Sequence, residues 1–264
     1  MIYSYNQYRN DESLHKIPSN KWKIEKCDNI LIQECIDKKL TVVEIFFDDK
    51  FNDSIKNLSE YTQLEYITFG DKFNQSVETL SHCTNLQQIT FGEDSMFNRP
   101  IGAFAHCTSL RQITFGAYFR QPIEALGSCA TLQWITFGWH FNQPIEALRN
   151  CTTLRQITFG FHFDQSIETL CHCTNLQQIT FDYYFDQPIK ALRSCTNLQQ
   201  ITFGMKFNQS IEALSHCTNL EQITFVLNSR FNQPIKALAS CANLRRVAFG
   251  FHFNQPIEAL AGLY

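Results

Sequence analysis

Phenylalanine returns at a fixed interval along most of this chain, at Phe51, Phe73, Phe97, Phe119, Phe141, Phe163, Phe185, Phe207, Phe231 and Phe253. The interval is 22 residues, apart from two steps of 24. A period of this order marks an array of small supersecondary units, each unable to bury its own apolar face, so a core forms only when neighbours stack in register. One unit reads FNQPIEALRNCTTLRQITFGFH, from Phe141 to His162. The longer steps come from two-residue additions near Glu93 to Met96 and near Val226 to Arg230. Because the pattern resumes in phase after each, both additions are expected to bulge out as loops.

Within each unit the segment LxxIxF has the alternation of a short strand with Ile and Phe on one side. Strands are expected near 64–69, 86–91, 110–115, 132–137, 154–159, 176–181, 198–203, 220–225 and 244–249, with a first one at 42–47 carrying Val42, Ile45 and Phe47. Strands that recur every 22 residues cannot pair as tight hairpins, so they should form one parallel sheet. About ten rungs at ~4.8 Å each predict a sheet on the order of 45 Å long. The Pro or Ser after FNQ, followed by Ile-Glu-Ala-Leu, predicts a short helical turn on the outer face, α or 3₁₀, with Pro in its first turn. Thr-Asn or Thr-Thr then bends the chain back into the sheet. The expected fold is thus an α/β solenoid: residues 1–41 as an N-terminal cap, 42–264 as the repeats, and the half-unit 253–264, with Leu263 and Tyr264, closing the far end.

Twenty of the 24 phenylalanines fall in two columns, one at the strand end and one at the head of each unit, and are core residues. Cys83, Cys107, Cys129, Cys151, Cys173, Cys195, Cys217 and Cys241 hold one place per unit, a ladder of small buried side chains. His82, His106, His172 and His216 precede ladder cysteines, and Cys171 with Cys173 makes a Cys-x-Cys. Structural zinc sites gather ligands at wider spacings than these, whereas adjacent His and Cys tend to point to different sides, so no metal is expected. The Asn column, from Asn52 to Asn254 with Arg120, Asp164 and Asp186 interposed, should satisfy backbone groups at a bend. Thr68 through Thr224 lie on the solvent side of the strands. The sequence Glu168, Lys190, Glu212, Lys236, Glu258 alternates in sign, which predicts pairing from rung to rung.

Forty-four per cent hydrophobic content is enough for a continuous core, and a net charge of −3 offers no general attraction to polyanions. Nucleic acid and membrane are therefore not expected partners. The first twenty residues lack the apolar stretch of an export signal, which points to a soluble, intracellular protein with reduced thiols. Phosphate-cradling loops, nucleophile elbows and triads are not evident, so neither a cofactor nor an enzymatic activity is expected.

FNQPI and FNQSI, followed by a leucine and then LxxITFG, resemble the FNIP repeat, a short leucine-rich-repeat variant of giant DNA viruses and slime moulds. The resemblance spans residues 51–257, with Gln where the name-giving motif has Ile and Ser for Pro in several units. It implies a leucine-rich-repeat solenoid, a giant-virus source, and residence in the host cytoplasm or the virion. Some members carry an N-terminal F-box that recruits a ubiquitin-ligase core, but residues 1–41 show no convincing pattern of that kind.

The positions that vary between units carry the functional signal. Two residues precede each FN head, just beyond the strand end: Tyr118 in one unit, Trp139 and His140 in the next, then Phe161 and His162, Tyr183 and Tyr184, and Met205. Trp134 stands in a nearby strand column that is otherwise mostly Gln. A column that stays aromatic and polar while its residues change suits recognition of a protein, since aromatic side chains dominate binding hot spots. Two other readings stand beside it: the rings fold over the sheet edge onto the Phe columns, or the stripe makes a homodimer, as in a self-associating virion component. A substrate adaptor for ubiquitin ligation is a further alternative, and would require residues 1–41 to bind a ligase subunit.

Overall fold

A computed structural model describes residues 13–18 and 21–261. The repeat builds one sheet whose twelve strands lie in chain order. They are β1 (Leu14–Ile17), β2 (Lys21–Cys27), β3 (Val42–Phe47), β4 (Tyr66–Phe69), β5 (Gln88–Phe91), β6 (Gln112–Thr114), β7 (Trp134–Thr136), β8 (Gln156–Thr158), β9 (Gln178–Thr180), β10 (Gln200–Phe203), β11 (Gln222–Phe225) and β12 (Arg246–Ala248). The repeat rungs β3 to β12 are the ten expected. Before them, residues of the expected cap add β2, parallel to β3, and β1, antiparallel to β2. Helix α1 (Asn29–Asp37) connects β2 to β3, capped where the Asp28 carboxylate accepts from the Leu31 amide at 2.8 Å. The Tyr61 hydroxyl donates to the Ile32 carbonyl at 2.7 Å and ties this helix to the first unit. Residues 1–12 and 19–20 of the expected cap, and Leu263 and Tyr264 at the other end, lie outside the described residues.

Register follows from the repeat. Ile pairs with Ile and Thr with Thr across successive rungs, as in Ile135 with Ile157 and Thr136 with Thr158. A strand's period of two then puts every Ile inside and every Thr on the solvent face. Inside, the two Phe columns stack as parallel plates: Phe137 lies 3.9 Å from Phe141, which heads the following unit, and 5.7 Å from Phe159 at the end of the next strand. The rung spacing is close to the separation that offset aromatic stacking favours, so one repeat length serves both the backbone ladder and the rings.

The return segment of every unit is a 3₁₀ turn, never α: Glu146–Asn150 is typical, and only Glu258–Leu260 is shorter among the described units. Twenty-two residues must hold a strand, two bends and a return, which leaves room for one tight turn. The Pro or Ser lies just ahead of that turn rather than in its first residues; Ile145, not Pro144, is the flanking residue, and its side chain is buried. The inserted residues also differ from a simple outward bulge. Leu227 is exposed, but Ser95 and Ser229 turn inward and are fully buried. Each Ser hydroxyl accepts from the next unit's Phe amide at 3.2 Å, which satisfies a polar group inside the core. Among the described residues the alternating Glu and Lys side chains from Glu168 to Glu258 form no ion pair. They are long and solvated, and fixing two such chains in one geometry costs about what the pair returns.

The Asn column does more than fill a bend. Asn52 Oδ1 accepts from the Asn74 amide of the next rung at 2.8 Å and from Gln75 Nε2 at 3.1 Å. The same pair of bonds recurs where Asp164 accepts from the Asp186 amide and Gln187, and where Asp186 accepts from the Asn208 amide and Gln209. The FNQ triplet is therefore a splice between units: Asn or Asp supplies the acceptor, and Gln of the next rung supplies a donor. Arg120 breaks it, since a guanidinium accepts nothing. Gln143 turns instead to the Arg120 main-chain carbonyl, at 2.9 Å. Arg120→Asn restores the missing acceptor and is expected to stabilise the protein by about 1 kcal/mol; an unchanged or lower urea midpoint would contradict this role of the column.

The cysteine ladder is fully buried and free of disulfides, and its thiols donate to backbone carbonyls of the preceding unit, as Cys129 does to Phe104 at 3.4 Å. Burial pushes the Cys129 and Cys173 thiols up to about 12. A thiol whose pKa is raised stays protonated and unreactive at every physiological pH. Cys171, by contrast, is partly exposed on its 3₁₀ turn. In the native protein at pH 8 a thiol-selective reagent should therefore modify Cys171 rapidly and the ladder only on unfolding. Fast native labelling of several ladder positions, mapped by peptide mass, would overturn this.

Candidate functional site

Beyond each strand the chain leaves the sheet at a close turn. A Cβ on Gly138 would lie 2.1 Å from the Gly116 carbonyl oxygen, which accounts for glycine there, although Asp48, Asp182 and Val226 fill the place in three other rungs. The two residues that follow are locked to the rung before: the His140 amide donates to the Ala117 carbonyl at 2.9 Å, His162 to Trp139 at 3.0 Å, Tyr184 to Phe161 at 3.0 Å, and Lys206 to Tyr183 at 2.9 Å. This second hydrogen-bonded ladder, outside the sheet, forces equivalent side chains into line.

The result is two aromatic columns on the rim. In one, Trp139 stacks on Phe161 with centroids 4.2 Å apart and planes within 7°, and Phe161 stacks on Tyr183 at 4.5 Å. In the other, Tyr118, His140, His162 and Tyr184 follow one another at 5.4, 5.1 and 5.2 Å. Among the described residues no rim ring contacts a ring of the core Phe columns, so the rings do not fold back onto the core. They pack on one another and keep a face or edge in solvent: Trp139 is 49% exposed, Tyr118 46% and Tyr184 41%. Phe161, His162 and Tyr183 are half-buried, as is Met205, which continues the first column.

Charge closes the ladder at one end. Lys206 Nζ lies 5.7 Å from the Tyr183 ring centroid, a cation over a π face. Burial among the rings, then the nearby Arg120 and His162 charges, hold His140 below the ordinary histidine range. A depressed pKa keeps this imidazole neutral at pH 7, as a stack of like rings requires. The roles of Arg120 and Lys206 were not legible in the sequence, because the Arg120 charge reaches His140, and Lys206 the Tyr183 ring, only through the rung-to-rung alignment.

Trp134 belongs elsewhere. It opens β7 on the solvent face of the sheet, 38% exposed, at the strand end opposite the rim turn. Two shallow clefts of about 90 and 190 Å³ flank it, the first lined mainly by glutamines and the second by Gln112, Ile135, Thr136 and Gln156. Both are below the ~300 Å³ at which small-molecule pockets begin. A larger polar depression of about 340 Å³ includes Glu65, whose carboxylate is held by Lys21 Nζ at 2.6 Å and by Gln87. Among the described residues no group of three or more His, Cys, Asp or Glu is placed to hold a metal ion, and no helix is long and apolar enough to cross a membrane.

The model of a family described as "BspA type Leucine rich repeat region" matches this sequence in six copies, over residues 52–143 and 124–245. No curated protein matches it. Among solved structures, it is similar to an internalin, inlF, from Listeria monocytogenes, with a TM-score of 0.71 and 18% identity over 84% of this chain and 65% of the internalin. The novel circular LRR protein CroV588 is similar with a TM-score of 0.58 and 23% identity, over 93% of this chain and 42% of that one. Internalin C2 from Listeria monocytogenes gives 0.51 and 15%, over 76% and 78%. At these identities the likeness is one of fold, and the chain spans less than two thirds of the first two structures.

Proposed function

Because the chain belongs to the BspA-type leucine-rich-repeat family, matched across residues 52–143 and 124–245, we propose that it is a non-enzymatic scaffold that binds another protein through the aromatic rim. One observation carries this reading: the ring columns on β6 to β9 are stacked, aligned and left open to solvent. Stacked rings have already given up most of their rotamer freedom, so a partner that covers them meets little further entropy cost. Exposed rings aligned over consecutive rungs are also the kind of apolar patch that marks an interface. Trp134 on the sheet face is a peripheral contact in this reading. The FNQPI and FNQSI units support a finer assignment, an FNIP-type repeat of giant-virus origin that acts inside a host cell on a host or viral protein.

The test is an affinity pull-down from host lysate, comparing the wild-type chain with a folded Trp139→Ala, Phe161→Ala, Tyr183→Ala variant. A protein held by wild type and lost by the variant supports the rim. Equal recovery by both would rule out the rim as the binding face. Recovery of the chain itself as the only rim-dependent partner would favour the homodimer.

A further inference from the structure

Resting on the rim as the binding face, we infer that its occupant is an extended, basic protein segment with an apolar or aromatic anchor at one end. The turn ladder that aligns the rings does not stop at Tyr118. The Ala117 amide donates to the Glu93 carbonyl, Met96 to Asp71, and Lys72 to Asp49, each between 2.8 and 2.9 Å. The same rim therefore runs on without a break over β5, β4 and β3, and there it changes character. Asp48, Asp49, Asp71, Glu93 and Asp94 lie on these turns against Lys50 and Lys72 alone, with the Asp71 carboxylate packed close to Gly92. All but the half-buried Asp71 are exposed, and among the described residues none of the five carboxylates takes part in an ion pair.

Past the rings, in the other direction, the rim turns positive at Lys206 and Arg230, both fixed in the ladder. One edge of the solenoid thus reads acidic, then aromatic with the Arg120 charge beside His140, then basic. A basic tail is attracted to the first part and repelled by the last, so the surface sets a direction as well as a composition: anchor on the Trp139 and Phe161 rungs, Lys or Arg toward Asp71 and Glu93. From the Asp71 turn to the Tyr183 turn is five rungs, about 24 Å, the length of about seven residues of extended chain.

Selection from a displayed library of random octapeptides tests this on the full-length protein. Three baits are used: wild type, a rim variant (Trp139→Ala, Phe161→Ala, Tyr183→Ala), and a charge variant (Asp71→Asn, Glu93→Gln, Asp94→Asn) whose far-ultraviolet spectrum and melting match wild type. Wild type is expected to enrich peptides with one aromatic or large apolar residue and at least two Lys or Arg. The charge variant should keep the anchor, lose the basic excess, and bind a wild-type-selected peptide about tenfold more weakly at low salt, with a flatter salt dependence. Peptides without a basic excess, or a basic excess that survives in the charge variant, would overturn the inference and leave the rim reading standing. Identical selection by the rim variant, or no selection by wild type, would overturn both.

Discussion

Phe159→Ala is expected to destabilise the protein by about 3–5 kcal/mol, the largest single-residue loss in the chain's interior. Phe159 is 1% exposed and lies between three rings: Phe163, four residues on, at 3.9 Å, and Phe181 at 5.4 Å and Phe137 at 5.7 Å in the rungs on either side. Truncation removes the transfer free energy of the ring and leaves a cavity that rigid neighbouring rungs cannot fill, since their positions are set by backbone ladders on both sides of the strand. The site is also central in a one-dimensional stack, where the coupling between two halves passes through one interface. Urea unfolding should therefore show a lower midpoint and a broadened or split transition. Phe251→Ala is the control, because this ring is 73% exposed and its loss should change stability by less than about 0.5 kcal/mol. A loss below about 1 kcal/mol for Phe159→Ala would mean that the stacked plates are not what holds the rungs together.

The second large effect is on binding. Removing Trp139, Phe161 and Tyr183 together should weaken the complex at least ~100-fold, since central aromatic anchors each contribute on the order of 2 kcal/mol or more to such interfaces. The same substitutions should leave the melting temperature nearly unchanged. These rings stack on one another and meet Lys206 without ring contacts to the core Phe columns, and the ladder of turn amides that carries them is backbone and survives truncation. A large fall in melting temperature would show instead that the rim stack is a structural strap.

Most of the fold could be read from the spacing of a few residue types. Phe141, Ile145, Leu148, Cys151, Leu154, Ile157 and Phe159 recur because each points inward at the same height in every rung, and repetition makes that constraint visible in one sequence. What could not be read were contacts set by alignment between units. The Gln after each FN looks like a departure from a motif, yet Gln187 reaches across to Asp164, and only stacked coordinates reveal the partner. The 3₁₀ form of the return was undetermined for a related reason: 22 residues restrict the length of the turn but not its hydrogen-bond pattern. In the rim, the sequence singled out Trp139, Phe161 and Tyr183 by their variability, while their stacking depended on turns it does not encode locally. Trp134 was grouped with them by sequence proximity, and the strand's length separates it from them.

Recognition is expected on the rim and not on the sheet face. The direct measurement is calorimetric titration of the partner into two full-length variants matched for folding, the rim triple and a sheet-face triple of Trp134→Ala, Gln156→Ala and Gln178→Ala. The rim variant is expected to bind at least ~100-fold more weakly while the sheet-face variant stays within about threefold of wild type. The reverse pattern, with binding lost on the sheet face and kept on the rim, would contradict it.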